Sequence, residues 1–308
     1  MSYAQGSTID AADYNGLVGS NSTTAGTLNY VWNTGNGAFG YGQGAIAAVT
    51  APGTITATQW STMLNALNRS LQHQSGAGAT LGPVNYTAGS TITFFSNVNT
   101  SITTINTNKA LFTAQGGTTT GSNFDETVNT SGALSNAVYG ARTVTFATAN
   151  AARYFFNAGG RLNYFVSTPT AAGSGRNANF VGLIGGLGGW GQLNTTSSGR
   201  TGTGQTVNTN STTFGYRNNV LNTWTSVVAI TSTAASYTSD TAAIQVQTNS
   251  SDTTDGSNGL TVQFRSLYNV GDKTWDDTIN VTHRTRVDIV FPETTYLSSS
   301  PWGTPVVS

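Results

Sequence analysis

Hydrophobic and polar positions follow two different periods along this chain, and the change falls near residue 140. Before it, apolar residues recur at helical spacing. Trp60, Met63, Leu64, Leu67 and Leu71 form a one-sided stripe, which predicts a helix ending near Gln74, ahead of Ser75-Gly76-Ala77-Gly78. An internal near-repeat places a second, shorter helix upstream, because residues 7–18 align with residues 53–64. Each copy opens on a capping residue, Asp10 or Thr56, with a partner three positions on, Asp13 or Gln59. Thr56 with Gln59 is the capping-box pattern and Asp10 with Asp13 a weaker relative of it. Ile9 and Ile55 stand where a hydrophobic staple belongs. Tyr14 and Leu17 in the first copy, with Trp60, Met63, Leu64 and Leu67 in the second, are the candidate assembly-helix residues. The glycine-rich stretch 35–44 between the copies predicts a loop with aromatic anchors. No Lys-Ser or Lys-Thr follows its glycines, so it does not read as a phosphate loop.

In residues 88–115, Phe95, Val98, Ile102, Ile105 and Phe112 fall at spacings of 3, 4, 3 and 7, the a/d pattern of a coiled coil. The intervening Asn, Thr and Ser are poor helix formers, so such a helix needs packing to hold it. Its partners are either sister chains, which makes these five the candidate oligomerisation residues, or other helices of the same chain. Residues 116–135 are rich in Gly, Thr, Ser and Asn and are expected to be a linker.

Beyond residue 140 the period becomes two. Strands are predicted at 143–147, 161–167, 224–230, 243–248, 260–267, 278–283 and 286–291, separated by turn-forming residues. A polar stretch at 169–210 carries one apolar island, 180–193. No alternation of strand and helix appears, which argues against a parallel sheet. The expected fold is mainly β with an N-terminal helical region and a C-terminal antiparallel β-sandwich, jelly-roll-like. The expected organisation is an assembly region at 1–75, a helical or coiled-coil connector and linker at 76–135, and the sandwich at 136–308, with residues 298–305 as an extended arm.

Composition sharpens this picture. Charged residues make up 8% of the 308, about a third of the ~25% usual for a globular domain. Hydrophobic residues at 37% still suffice for a core, and disorder would need high net charge where here it is zero. The polar surface must therefore come from Thr, Ser, Asn and Gln. Twelve scattered basic residues form no stripe for nucleic acid. No apolar run approaches the length of a membrane span, and no secretory signal is expected from residues 1–6. With no cysteine, disulfides and thiolate metal sites are excluded.

Candidate chemistry is sparse. His73 and His283 lie far apart, and His73 suits a helix C-terminus. Residues 252–256, Asp-Thr-Thr-Asp-Gly, lack the alternating oxygens and closing Glu of a calcium loop, and a turn is expected there. Asp276 and Asp277 are adjacent, so on a strand they point to opposite faces and cannot form an acid–base pair alone. Neither a GxSxG elbow nor an HExxH pair occurs. Arg153-Tyr154-Phe155-Phe156-Asn157 with Arg161 form an Arg/aromatic patch, read either as a sugar-binding surface or as a core strand edge. Trp190, among glycines, is either a binding aromatic or a core plug. No cofactor is expected.

Several stretches resemble a family of tailed-bacteriophage virion structural proteins, often described as tail-fibre proteins and frequent in phages of cyanobacteria. In the N-terminal part these are Gly40-Tyr41-Gly42-Gln43, Ile55-Thr56-Ala57-Thr58-Gln59-Trp60, Leu64-Asn65 and His73-Gln74. The most specific is central, Ala151-Ala152-Arg153-Tyr154-Phe155-Phe156-Asn157-Ala158-Gly159-Gly160. The C-terminal ones are Tyr237, Ala243-Ile244-Gln245-Val246-Gln247, Leu260-Thr261-Val262-Gln263-Phe264 and Asp276-Asp277-Thr278. The resemblance implies a non-enzymatic virion component, assembled in the host cytoplasm, without cofactor or assigned catalytic residues. The expected function is a fibre-type appendage for assembly and host-surface attachment. Expected partners are its own copies, a trimer being favoured, other virion proteins and host-cell surface glycan. Two alternatives stay open: a neck, baseplate or capsid adaptor or decoration protein, and a polysaccharide-degrading tailspike.

Overall fold

A computed structural model of the chain describes residues 9–50, 52–82, 85–88, 95–130, 137–170, 173–193, 206–210, 222–248, 260–271 and 278–308. Its helices are α1 (Ala11–Val18), α2 (Leu28–Trp32), α3 (Ala57–Ser75), α4 (Phe95–Thr107), α5 (Ala149–Asn157) and α6 (Gly175–Gly186). Its strands are β1 (Gln115–Thr119), β2 (Phe124–Thr130), β3 (Ala137–Thr145), β4 (Arg161–Ser167), β5 (Trp190–Leu193), β6 (Thr206–Asn210), β7 (Thr225–Thr231), β8 (Thr241–Thr248), β9 (Thr261–Asn269), β10 (Ile279–Pro292) and β11 (Val306–Val307).

The strands form two antiparallel sheets. The first has the order β1-β10-β4-β5 with β2 also on β10, and the second β11-β3-β9-β8-β7-β6. Period-two burial makes this a sandwich. Leu162, Tyr164 and Val166 of β4 and Val281, Val287 and Ile289 of β10 turn inward, as do Val262 and Phe264 of β9. The sheets meet through the Tyr164–Phe264 ring stack (5.5 Å between centroids) and through the Tyr164 hydroxyl, which donates to Gly140 O at 2.6 Å. Gly191 matters here, because a Cβ on it would stand 3.0 Å from Ile244 across the interface.

The helical region packs onto this sandwich through one continuous hydrophobic cluster, running from Ala11 to Trp302. Both expected capping boxes close reciprocally, Asp10 with Asp13 and Thr56 with Gln59. The equivalent aromatics of the two repeat copies pack on each other: Tyr14 and Trp60 lie 6.4 Å apart, and the Tyr14 hydroxyl donates to Gln59 O. Between these helices the irregular chain is held by side-chain amides. Asn29 bonds both the N–H and the carbonyl of Ile46, and Asn15 does the same for Val49. Each amide supplies one donor and one acceptor, as a neighbouring strand would.

Several expectations need correction. The a/d stripe of α4 is helical, but Val98, Ile102 and Ile105 are buried against α2 and α3 of the same chain, so they present no exposed interchain seam. Phe112 lies beyond the helix, against Gly159 and under the Arg161 guanidinium, while of Phe95 only the backbone is described. Residues 116–130 are not a linker. They supply β1 and β2, which pair end to end along one edge of β10. The two strands expected at 278–291 are one 14-residue strand, because inward Thr285 and Val287 continue the alternation without a turn residue. Residues 153–157, expected on one reading to be a strand edge, belong to the helix α5, and the apolar island at 180–193 is the end of helix α6 followed by β5. The tail is docked rather than extended along its length, with Trp302 buried and β11 paired to β3.

If α4 is held inside its own chain, Ile105→Ala should cost about 2–5 kcal/mol of unfolding free energy. Urea titrations should give the same loss at low and high protein concentration. A loss that grows on dilution would place the stripe in an interface.

Candidate functional site

Residues 40–43, 73–74 and 151–160 meet at one junction. Thr148 caps α5 by accepting from Ala151 N, and the apolar spacing 151, 152, 155, 156 turns Phe155 and Phe156 onto Phe146 and Phe291. The other side of α5 addresses the glycine-rich loop. Asn157 Nδ2 lies within 3.3 Å of three carbonyls, those of Gly37, Phe39 and Gly40, and Arg153 Nη1 donates to Phe39 O at 2.7 Å. Gly42 is required in this loop: it has φ +72°, and a Cβ would meet Tyr154 at 2.5 Å. Beside it, Gln74 donates to the Tyr41 hydroxyl and to Ile105 O. Gln43 clamps both backbone groups of Ser298. His73 Nδ1 contacts Glu293 Oε1 at 2.9 Å, with both side chains buried. Burial would raise the Glu293 pKa, but hydrogen bonds from His73 and from the backbone N–H groups of Tyr296 and Thr295 outweigh it and hold the carboxylate below its usual range. These are packing roles, and the Arg/aromatic patch read at 153–157 is interior: Arg153 is fully buried.

Two further buried polar groups resemble catalytic machinery and fail as such. Ser266 Oγ and His283 Nε2 are 2.7 Å apart between the sheets. Ser266 donates to Tyr139 O at 3.0 Å, which leaves His283 as the donor in the Ser–His contact, the reverse of nucleophile activation. His283 Nδ1 has no hydrogen-bond partner among the described residues, and neither residue reaches solvent. The second group centres on Asp240. Its Oδ2 faces Arg176 (3.2 Å), Asn179 (3.0 Å) and Tyr268 (2.7 Å), and its Oδ1 accepts from Gly271 N. Arg176, Asn179, Phe180, Leu183 and Ile184 of α6 are all buried, so the network pins this helix to the second sheet.

Polar groups converge with access to solvent on the outer face of the first sheet. Side chains two apart on β10 share a face, and Arg284 and Arg286 are both partly exposed there. Arg284 forms a bidentate pair with Asp125 of β2 (2.6 and 2.7 Å), and Arg286 one with Asp288 (2.8 and 3.1 Å). Asp288 also accepts from Gly121 N, which fixes the β1–β2 connection. In register, Arg284 stands opposite Ser167 and Arg286 opposite Phe165 of β4, whose ring lies 4.5 Å from the Arg286 guanidinium. Together with Asn123 and Gly189 they line an open cleft of about 350 Å³. Chemically this face can bind but is poorly suited to proton transfer. The hydrogen bond from Arg284 holds the Asp125 carboxyl below its ordinary range, whereas a general acid needs a raised pKa.

The six assembly-helix candidates, Tyr14, Leu17, Trp60, Met63, Leu64 and Leu67, are all buried in the chain's own core. Asp252, Asp255, Asp276 and Asp277 lie outside the described residues, and Trp190 is placed only by its backbone, in β5 opposite Phe165. The cleft was missed in the sequence. Its signal was the alternation of Arg284 and Arg286 on one strand face, but only pairing with β4 adds Phe165 and Ser167, and only pairing with β2 brings Asp125 onto Arg284. Among the described residues no cluster of three or more metal-ligating side chains occurs, and no helix is long and apolar enough to cross a membrane.

Three substitutions test the roles of these buried groups. Asn157→Ala should cost about 1–3 kcal/mol by stranding loop carbonyls, read by urea unfolding. Burial pushes the His283 pKa down from 6.5 to about 4. The unfolded chain therefore takes up the proton first, and stability should fall by roughly 3 kcal/mol as pH drops from about 6.5 to about 4. His283→Gln should flatten that slope. Glu293→Gln should remove a further loss that sets in below about 4.5, as the pH falls towards its depressed pKa. Neither a protein-family model, nor a curated protein, nor a solved structure matches this chain, so its function is argued from these sites.

Proposed function

We propose that the chain is a structural, non-enzymatic component of a tailed-phage virion, a fibre-type appendage protein acting in assembly and host-surface attachment. The observation that carries this reading is the convergence of the resembling segments. Chance matches strewn along a chain need not meet in space. Here residues 40–43, 73–74 and 151–160 form one junction, and the C-terminal pair, 243–247 and 260–264, are neighbours in β8 and β9, joined by Gln247 and Gln263 at 2.7 Å. The outer face of the first sheet supplies an attachment surface, and its host-side partner on this reading is cell-surface glycan. Copies of the chain associate, as a trimer, through a surface other than the α4 stripe.

The adaptor reading draws support from one observation. The stripe expected to hold a fibre together is spent inside the chain, so assembly falls to surfaces that other virion proteins could equally occupy.

Fluorescently labelled chain should sediment with host bacteria and slow phage adsorption, and antibody against it should mark the distal tail. A chain that stays in the supernatant while the antibody marks neck or capsid would favour the adaptor.

A further inference from the structure

We infer that the cleft on the outer face of the first sheet is a saccharide site, and that its ligand is a neutral glycan; this rests on the attachment reading above. The first argument is where the charges sit. The chain has only 24 charged residues in 308, yet two arginines and two aspartates stand together here as two bidentate pairs. The Arg284–Asp125 pair is exposed, and exposed ion pairs add little to stability; the sandwich is held by its apolar interior. Seven other described arginines, Arg286 among them, lie over aromatic rings. Arg284 instead faces Asp125 at the surface, with about a third of its side chain exposed.

The second argument is chemical fit. Each guanidinium carries five N–H donors and gives two of them to its aspartate, and the exposed Asp125 carboxylate keeps lone pairs beyond those Arg284 uses, whereas Asp288 is buried and also accepts from Gly121 N. Guanidinium donors from Arg284 and Arg286 thus stand in a row with the polar groups of Ser167 and Asn123 along the cleft, and the exposed Asp125 acceptor is held beside Arg284. A sugar hydroxyl both donates and accepts, so vicinal hydroxyls match such a row. Phe165, opposite Arg286, offers an apolar edge for the C–H face of a pyranose. Gly189 leaves its rim open, since no atom stands within 4 Å of where a Cβ would be. About 350 Å³ lies within the range of small-ligand pockets, ~300–1,000 Å³.

The third argument sets the ligand's charge. Both guanidiniums already face carboxylates, so the charges of the two pairs cancel. A uronate or phosphate would have to displace Asp125 or Asp288 or face their repulsion. A neutral ring displaces neither.

The test uses bacteria that the full chain sediments with, and surface polysaccharide extracted from them and split by anion exchange into neutral and acidic fractions. The neutral fraction should block binding. Arg284→Ala should weaken binding about tenfold or more, the loss of one charge-assisted contact, and Phe165→Ala should weaken it as well by removing the apolar edge. Arg284→Ala should keep the wild-type melting temperature, which separates a lost contact from a lost fold. Blocking by the acidic fraction alone would overturn the neutral assignment, and blocking by neither fraction would overturn the saccharide. Wild-type binding by Arg284→Ala would overturn the site while leaving the attachment reading intact. A wild-type chain that binds no cells would remove both.

Discussion

Irregular backbone buried inside a protein must have its N–H and C=O groups satisfied, and that requirement organises this molecule. Residues 37–49 run between helices and sandwich without being helix or strand. Asn15, Asn29 and Asn157 supply the missing partners from α1, α2 and α5, and Gln43 extends the same device to Ser298. A side-chain amide does this at no charge-desolvation cost, whereas a buried ion would need its own counter-ion. The junction therefore lets a sandwich and a helical region share one core, and it fixes where β10 and the docked tail lie relative to α3.

The scarcity of charge gives the remaining charges meaning. Asp240 and Arg176 are buried together in a network that fixes α6. His73 and Glu293 tie α3 to the chain beyond β10. Most described arginines serve as flat packing elements against aromatic rings, a use that suits a weakly hydrated guanidinium. Against that background the exposed pair of Arg284 on β10 with Asp125 on β2 stands out, since it holds up no interior. A binding face built from paired charges carries little net field. It selects by the geometry of hydrogen bonds rather than by long-range attraction.

Much of the architecture was legible because local signals and burial agreed. Both capping boxes, the apolar stripe of α3 and the period-two runs of β4, β8 and β9 state their structure in short windows. The failures also have causes. The spacing 176, 179, 180, 183, 184 is helical, but the glycines of α6 mask it; α5 is short, and its aromatics suggest a strand. The β1 and β2 sequences, rich in Gly, Thr and Asn, carry no strand signal of their own, and they are strands because β10 offers an edge to pair with. The α4 pattern announces a helix with one buried face, yet it is identical whether the cover comes from a sister chain or from α2 and α3.

The sequence by itself determined the class of the fold, the caps, most of the strand faces and the scarcity of charge. These depend on residue type and on spacing within a turn or a strand. Only the tertiary structure decided what covers each apolar face, which glycine-rich segments become strands, that Arg284, Arg286 and Phe165 share one cleft, and that Asp125 pairs with Arg284 beside it. Asp125 and Arg284 are 159 positions apart, and no local period can encode that meeting. It exists because β2 and β4 flank β10 in a particular register, and that register is set by which residues turn inward to fill the sandwich.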